Sequence, residues 1–374
     1  MKQQSNHDNM NIVRQLNSRP GDLRSYDLPI ESQSRIARLQ QLADELSQTP
    51  WSTWSRELAG IGTIIHTPVY SNGLTSTALK CPIEPNQGRL ANFWHVSYQP
   101  SFFALPPLQY LRSGTPVHLG VRNDALRNAI TEHNIAELHL SARSTQNSQR
   151  VLTIDLQSPD TEDAQLAIER VAVVEKATHL EKYPDTIALV VPTHERGINR
   201  STNPQIITAQ RSTVDKIVTS ALEAEHLVSS AIRKTLAAEV REILKTEEFG
   251  QVSTVSRYAL TARLVVLGWI GGMTPHVHCR SGKDRTGLVD VEVKFLYYQI
   301  ACEMSGRSVS RLGEPRLPEE ESVWRGILLN GGNHEIQEWN TGCRGSKLDH
   351  SSLRERIGAE NWCEFIGDSH SADG

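Results

Sequence analysis

The sequence predicts an α/β protein with a central sheet flanked by helices, and three observations carry that prediction. From Pro116 onward, short runs rich in Val, Ile and Leu alternate with segments of helical periodicity. The helical segments are long enough to cover a sheet on both sides. Near the end of this pattern a short apolar run, "HVHC" (His276–Cys279), passes into a further helical segment through six small or charged residues.

Taken in order, residues 1–30 are rich in Gln, Asn, Ser and charge and offer little to pack, so they are expected to form a short disordered leader. Residues 31–115 form an N-terminal helical and irregular region. In it, "SQSRIARLQQLADEL" sets Ile36, Leu39, Leu42, Ala43 and Leu46 at helical spacing, and residues 60–120 read as loops with short strands. Residues 116–374 form the main domain. It opens with the strand candidate "VHLGV", a helix over Asn123–His133 and the strand candidate "AELHLS". The strand "VLTIDL" then leads to a helix over Thr161–Lys182, capped by Asp160 and ended before Pro184, and to "TIALVVPT". From Thr213 to Leu244 one apolar stripe recurs at helical spacing and predicts a single long helix. A second apolar helix, Val252–Ile270, reaches "HVHC" through Gly271 and Gly272.

The bulk composition excludes several classes. With 374 residues and 38% hydrophobic content the chain can bury a sizeable core, and a net charge of -4 argues against nucleic acid as a partner. Affinity for anions has to come from a local cluster. Five cysteines, odd in number, far apart and without a CxxC pair, suit a reducing compartment. The strongest apolar run, "LVVLGWIGGM", is too short to span a bilayer, so membrane contact is expected to be peripheral.

The quoted strand ends at Cys279, and the loop "CRSGKDRTG" follows. A loop closing from a strand into a helix can turn successive backbone N–H groups inward beside the positive end of the helix, which makes an anion nest. Gly282 permits the tight backbone and Ser281 adds a small hydroxyl. Arg285, with Thr286 behind it, can hold two oxygens of a bound phosphoryl group through its planar fork. In the field of those N–H groups, Arg280, Lys283 and Arg285, the Cys279 thiolate is favoured over the thiol and becomes a nucleophile. Attack on a phosphate monoester gives a cysteinyl-phosphate that water hydrolyses, without a metal or other cofactor. A buried structural cysteine followed by a solvated basic turn is the plainer alternative, and the strand, Gly, Arg and Thr in sequence weigh against it. His278 has two roles open to it, favouring the thiolate or packing.

"CRSGKDRTG" resembles the active-site loop of bacterial effector inositol-phosphate phosphatases of the SopB/IpgD type, which is similar to that of inositol polyphosphate 4-phosphatases. Two further stretches agree in order and spacing: "DVEVK" (Asp290–Lys294) and "ILLNGGNHEIQEWNTGCRGSK" (Ile327–Lys347). Arg280 stands where the family tolerates lysine, and Ser346 where an aromatic residue is expected. The resemblance implies a cysteine-phosphatase-like fold of the tyrosine-phosphatase type, with residues 116–374 as the catalytic phosphatase domain. It implies Cys279 and Arg285 as catalytic residues, and Arg280, Ser281, Gly282, Lys283 and Thr286 as substrate-binding residues. The implied substrate is an inositol phosphate or phosphoinositide, and the surplus charge of Arg280 and Lys283 also suggests a multiply phosphorylated ring.

Asp284 is a candidate general acid for the leaving oxygen or a cap within the loop; Asp160 and Glu195 are reserves. In "GGNHEIQEWNTG", His334, Glu335 and Glu338 do not complete a ligand set at familiar spacing, so no metal is expected, and Asn333, Gln337 and Asn340 are suited to ring hydroxyls or to bracing the loop. The expected setting is a bacterial protein secreted into a host cell without a cleavable signal peptide, the leader serving export, with peripheral contact with host membranes. A host GTPase is a further candidate partner, because the family's N-terminal region engages Rho-family GTPases. Two other functions compete: a protein tyrosine or dual-specificity phosphatase, and an interaction protein that binds host GTPases or membranes.

Overall fold

The structure, a computed structural model, describes residues 63–68, 93–100, 105–117, 204–248, 257–279 and 282–333, together with parts of 131–142, 148–157 and 185–193. The leader, the helix expected over 32–47, Asp160, Glu195, Arg280, Ser281 and residues 334–374 lie outside the described residues.

Six strands form one mixed sheet: β1 (Thr63–Pro68), β2 (Trp94–Gln99), β3 (Leu108–Gly114), β4 (Val151–Asp155), β5 (Thr186–Val190) and β6 (Thr274–Cys279). Their order across the sheet is β1-β2-β3-β6-β4-β5, antiparallel between β1, β2 and β3 and parallel from β3 through β6 and β4 to β5. The last strand in sequence is therefore an interior one. All six residues of β6 are buried, so both faces of the strand are covered, as a parallel strand between helical layers requires. The α/β architecture expected from the sequence is present. Three of its strands come from residues 63–114, so the sheet continues across the boundary drawn at residue 115.

The described helices are α1 (Pro204–Glu223), α2 (Ser230–Glu248), α3 (Arg257–Ile270), α4 (Asp284–Met304) and α5 (Pro318–Asn330). In α3 nearly every described position is buried, including Leu264, Val265, Val266 and Leu267, which fits its all-round apolar sequence. It packs against α1, α2, α4 and the sheet.

Two sequence-based expectations are corrected. The single helix expected over 213–244 is two helices, because the chain turns at residues 224–229. Arg233 is buried and its Nη1 donates to the carbonyls of Ala221 (2.8 Å), Leu222 (3.2 Å) and Ala224 (2.5 Å), satisfying the end of α1. The Ser229 hydroxyl accepts from the Ile232 N–H at 3.3 Å and opens α2. The apolar stripe continues across the break because both helices face the same core.

The described residues of "AELHLS", Leu138, His139 and Ser141, are helical and not in a strand. Ile135, Leu138 and Ala142 are buried at helical spacing, and Asn134 ties this segment to the Pro116 carbonyl at 2.7 Å. The alternation of Ala136, Leu138 and Leu140 matches a strand over six residues, but the longer 3.6-residue period prevails. Val117, the first residue of "VHLGV", lies in a bend.

Candidate active site

The carboxyl ends of β3, β6 and β4 lie side by side, with Gly114 opposite Cys279 and Asp155 opposite His278. In parallel sheets this edge is where ligands collect, since the helices that follow the strands direct their N-termini there. Cys279, the final residue of β6, is a free thiol with 3% of its surface exposed. The chain then turns through the loop into α4, whose first residue is Asp284.

Gly282 has φ +72°, the left-handed region that only glycine enters without strain. Its backbone lies against the end of β3, so closely that a Cβ would stand 2.6 Å from the Ser113 carbonyl oxygen. Lys283 occupies the N-cap position of α4 and makes no side-chain cap, although the helix begins a 21-residue element. The first N–H groups of α4 have no intrahelical acceptors. Arg285 sits in the first turn, half-buried, and its Nη1 donates to the Leu156 carbonyl at 3.3 Å. This contact bridges the loop to the end of β4. Thr286 is buried beside it. Asp284 and Lys283 are partly exposed.

Two histidines run along β6 beneath the loop, stacked at 5.1 Å between ring centroids. His276 is fully buried and bridges the neighbouring strands, with Nε2 2.7 Å from the Ser113 hydroxyl and Nδ1 2.9 Å from that of Thr153. Burial, then the adjacent His278, hold its pKa well below the ordinary value. His276 is therefore neutral and structural. His278, next to Cys279, has Nδ1 3.7 Å from Asp155 Oδ1.

Behind the loop is a polar cluster that the sequence named only in part. Asp290 in α4 accepts from the Tyr110 hydroxyl (2.5 Å), from Lys294 Nζ (2.7 Å) and from Asn333 Nδ2 (3.0 Å). Lys294 also donates to the Gly331 carbonyl at the end of α5, at 2.8 Å. Arg112, buried in β3, donates to Asn333 Oδ1 at 2.5 Å and to the carbonyls of Gly282 and Lys283 at 3.2 and 3.4 Å. Of the two roles open to Asn333, its described contacts are the bracing ones. "DVEVK" places Asp290 and Lys294 one helical turn apart, where the pair forms an ion bridge. Tyr110 and Arg112 carry no local motif, and the chain separation from the loop hides them.

Among the described residues no group of His, Cys, Asp and Glu side chains is arranged to hold a metal ion, and no helix is long and apolar enough to cross a membrane.

Residues 215–370 match the family model described as enterobacterial virulence protein IpgD. Inositol phosphate phosphatase IpgD of Shigella sonnei is 37% identical over 138 residues, 36% of this chain and 24% of that protein. Inositol phosphate phosphatase SopB of Salmonella bongori is 30% identical over 151 residues, 38% of this chain and 35% of that protein. The chain thus spans about a quarter to a third of the length of these curated relatives. A Legionella phosphoinositide phosphatase of known crystal structure shares the fold, with a TM-score of 0.50 at 15% identity over 74% of this chain and 35% of that one. The fold is therefore one shared with a known phosphoinositide phosphatase, consistent with the cysteine-phosphatase-like fold expected from the sequence, and over residues 215–370 this chain is similar to the IpgD family of enterobacterial virulence proteins.

Proposed function

We propose that the chain is a cysteine-dependent phosphatase that hydrolyses phosphate monoesters of phosphoinositides or inositol polyphosphates. The carrying observation is the position of Cys279 at the end of an interior strand, before an uncapped helix whose first turn holds Arg285. The relatives named inositol phosphate phosphatases support the substrate class.

In this reading the Cys279 thiolate attacks phosphorus and the bond from phosphorus to the leaving alkoxide oxygen breaks. The alkoxide takes a proton from Asp284. Water then attacks the cysteinyl-phosphate, the S–P bond breaks, and inorganic phosphate leaves with the thiolate restored. Arg285, the N–H groups of the loop and helix, and the Ser281 and Thr286 hydroxyls hold the phosphoryl oxygens as charge develops. Arg280 and Lys283 receive further phosphates of the ring. A lipid substrate is met at a membrane surface, so peripheral contact with host membranes belongs to the proposal. Delivery into a host cell is supported by the virulence description of the matched family, and binding of a host GTPase rests on resemblance alone.

The test is phosphate release from inositol phosphates and short-chain phosphoinositides under reducing conditions, resolved by product isomer. Cys279→Ser should abolish turnover and retain ligand binding, because the serine hydroxyl is not ionised at neutral pH while the anion nest is unchanged. Wild-type rates in that variant would place the chemistry elsewhere.

A further inference from the structure

Which way the peptide groups of the loop face decides whether they can bind an anion, and one buried side chain controls two of them. In a trans peptide the carbonyl of one residue and the N–H of the next point in opposite directions. The Gly282 and Lys283 carbonyls both receive Arg112 Nη2, at 3.2 and 3.4 Å, from the β3 side of the loop. The Lys283 carbonyl also receives the Gly287 N–H at 2.6 Å as α4 begins. The N–H groups of Lys283 and Asp284 are consequently turned away from Arg112.

Arg112 is itself held. Its Nη1 meets Asn333 Oδ1 at 2.5 Å and lies 3.7 Å from Asp290 Oδ2, and its side chain is 1% exposed. Asn333 donates in turn to Asp290 at 3.0 Å. A guanidinium bonded on two sides has little freedom, so the carbonyls it grips are fixed before any ligand arrives.

We propose that Arg112 is a positioning residue that presets the anion nest: by holding the Gly282 and Lys283 carbonyls it directs the N–H groups of Lys283 and Asp284 at the bound phosphoryl group. This rests on the function proposed above, with the loop as the phosphate site. Preset donors need no reorganisation when charge develops, which is where such groups contribute most to rate.

The experiment is Arg112→Met, assayed with an aryl phosphate and with inorganic phosphate as a competitive inhibitor. Asp290 keeps Lys294 as its cation at 2.7 Å, so the substitution strands no buried carboxylate. The expected result is a folded protein with kcat lowered about 100-fold and phosphate inhibition weakened at least about tenfold. Arg112→Lys, which can reach one carbonyl but not fork between two acceptors, should fall between. A folded Arg112→Met with wild-type kcat and phosphate inhibition overturns the proposal.

Should Arg112→Met not fold, the wild type decides by amide exchange. Saturating phosphate should slow exchange at Lys283 and Asp284, and unchanged exchange there overturns the proposal. A wild type that releases no phosphate and is not inhibited by it instead defeats the functional reading on which the proposal stands.

Discussion

Gly282 lies directly against Ser113: a Cβ on the glycine would stand 2.6 Å from the Ser113 carbonyl oxygen and 2.5 Å from the Gly114 nitrogen. Both obstacles are backbone in a buried strand, so neither can swing aside. The φ of +72° adds a conformational cost of about 1–2 kcal/mol for any L side chain. Gly282→Ala is expected to push the loop off β3, lowering kcat for every phosphate monoester by at least about tenfold while the thermal unfolding midpoint falls by a few degrees. An alanine variant with unchanged kcat would show that the loop tolerates displacement, contrary to the fit seen against β3.

The contrast between this glycine and Arg112 explains what was legible in the sequence. Cys279, Gly282 and Arg285 are neighbours along the chain, so strand, turn and helix signals converge on one short stretch and reveal the loop. Arg112 precedes Gly282 by 170 residues. No periodicity relates the two, and residues 60–120 read only as loops with short strands, because Gly, Pro and Asn there mask the 2-residue alternation of Trp94, Val96 and Tyr98. The break between α1 and α2 was hidden for a different reason. Its capping depends on an arginine folded back over three carbonyls, which no apolar pattern encodes.

Asp284 offers a test through the leaving group. If its carboxyl protonates the departing oxygen, Asp284→Asn should slow release from an inositol phosphate, whose alkoxide is a poor leaving group, by about 100-fold. An aryl phosphate, whose phenolate leaves without help, should lose far less. Equal losses on the two substrates would assign Asp284 to the loop's shape, as the opening residue of α4.

Two histidines, His276 buried and His95 half-buried, are expected to make stability fall in mild acid. Burial lowers the pKa of His95 to about 4, and burial followed by His278 lowers that of His276. The unfolded chain binds protons on these rings from about pH 6.5 downward while the folded chain does not, so the stabilisation is complete above that pH and is lost as pH falls toward the folded values. Each histidine is expected to cost about 1 kcal/mol between pH 7 and 5.5. Urea unfolding at those two pH values should show the loss, and His276→Gln, which cannot titrate, should reduce it. The same pH dependence in that variant would mean that His276 is protonated in the folded protein, against its place between the Ser113 and Thr153 hydroxyls.

Lys283 bears on the choice of substrate. It is the N-cap residue of α4, partly exposed, while its carbonyl is engaged by Arg112 and by Gly287. Backbone and side chain can serve different ends: the carbonyl is held by Arg112 and Gly287, and if the ammonium receives a second phosphate of the ring, as proposed above, its loss should be felt mainly by substrates that carry one. Lys283→Met removes that charge and leaves Cys279, Arg285 and the carbonyl contacts in place. It should lower kcat/KM for a bis- or tris-phosphorylated inositol far more than for a small aryl monophosphate, with a difference of about 1–3 kcal/mol for one charge-assisted contact. Raising the salt concentration should narrow the difference, because the lysine is partly exposed and its attraction is screened. Losses of the same size on both substrates would instead give the ammonium a part in the chemistry common to all monoesters, and would remove the main support for a multiply phosphorylated ligand.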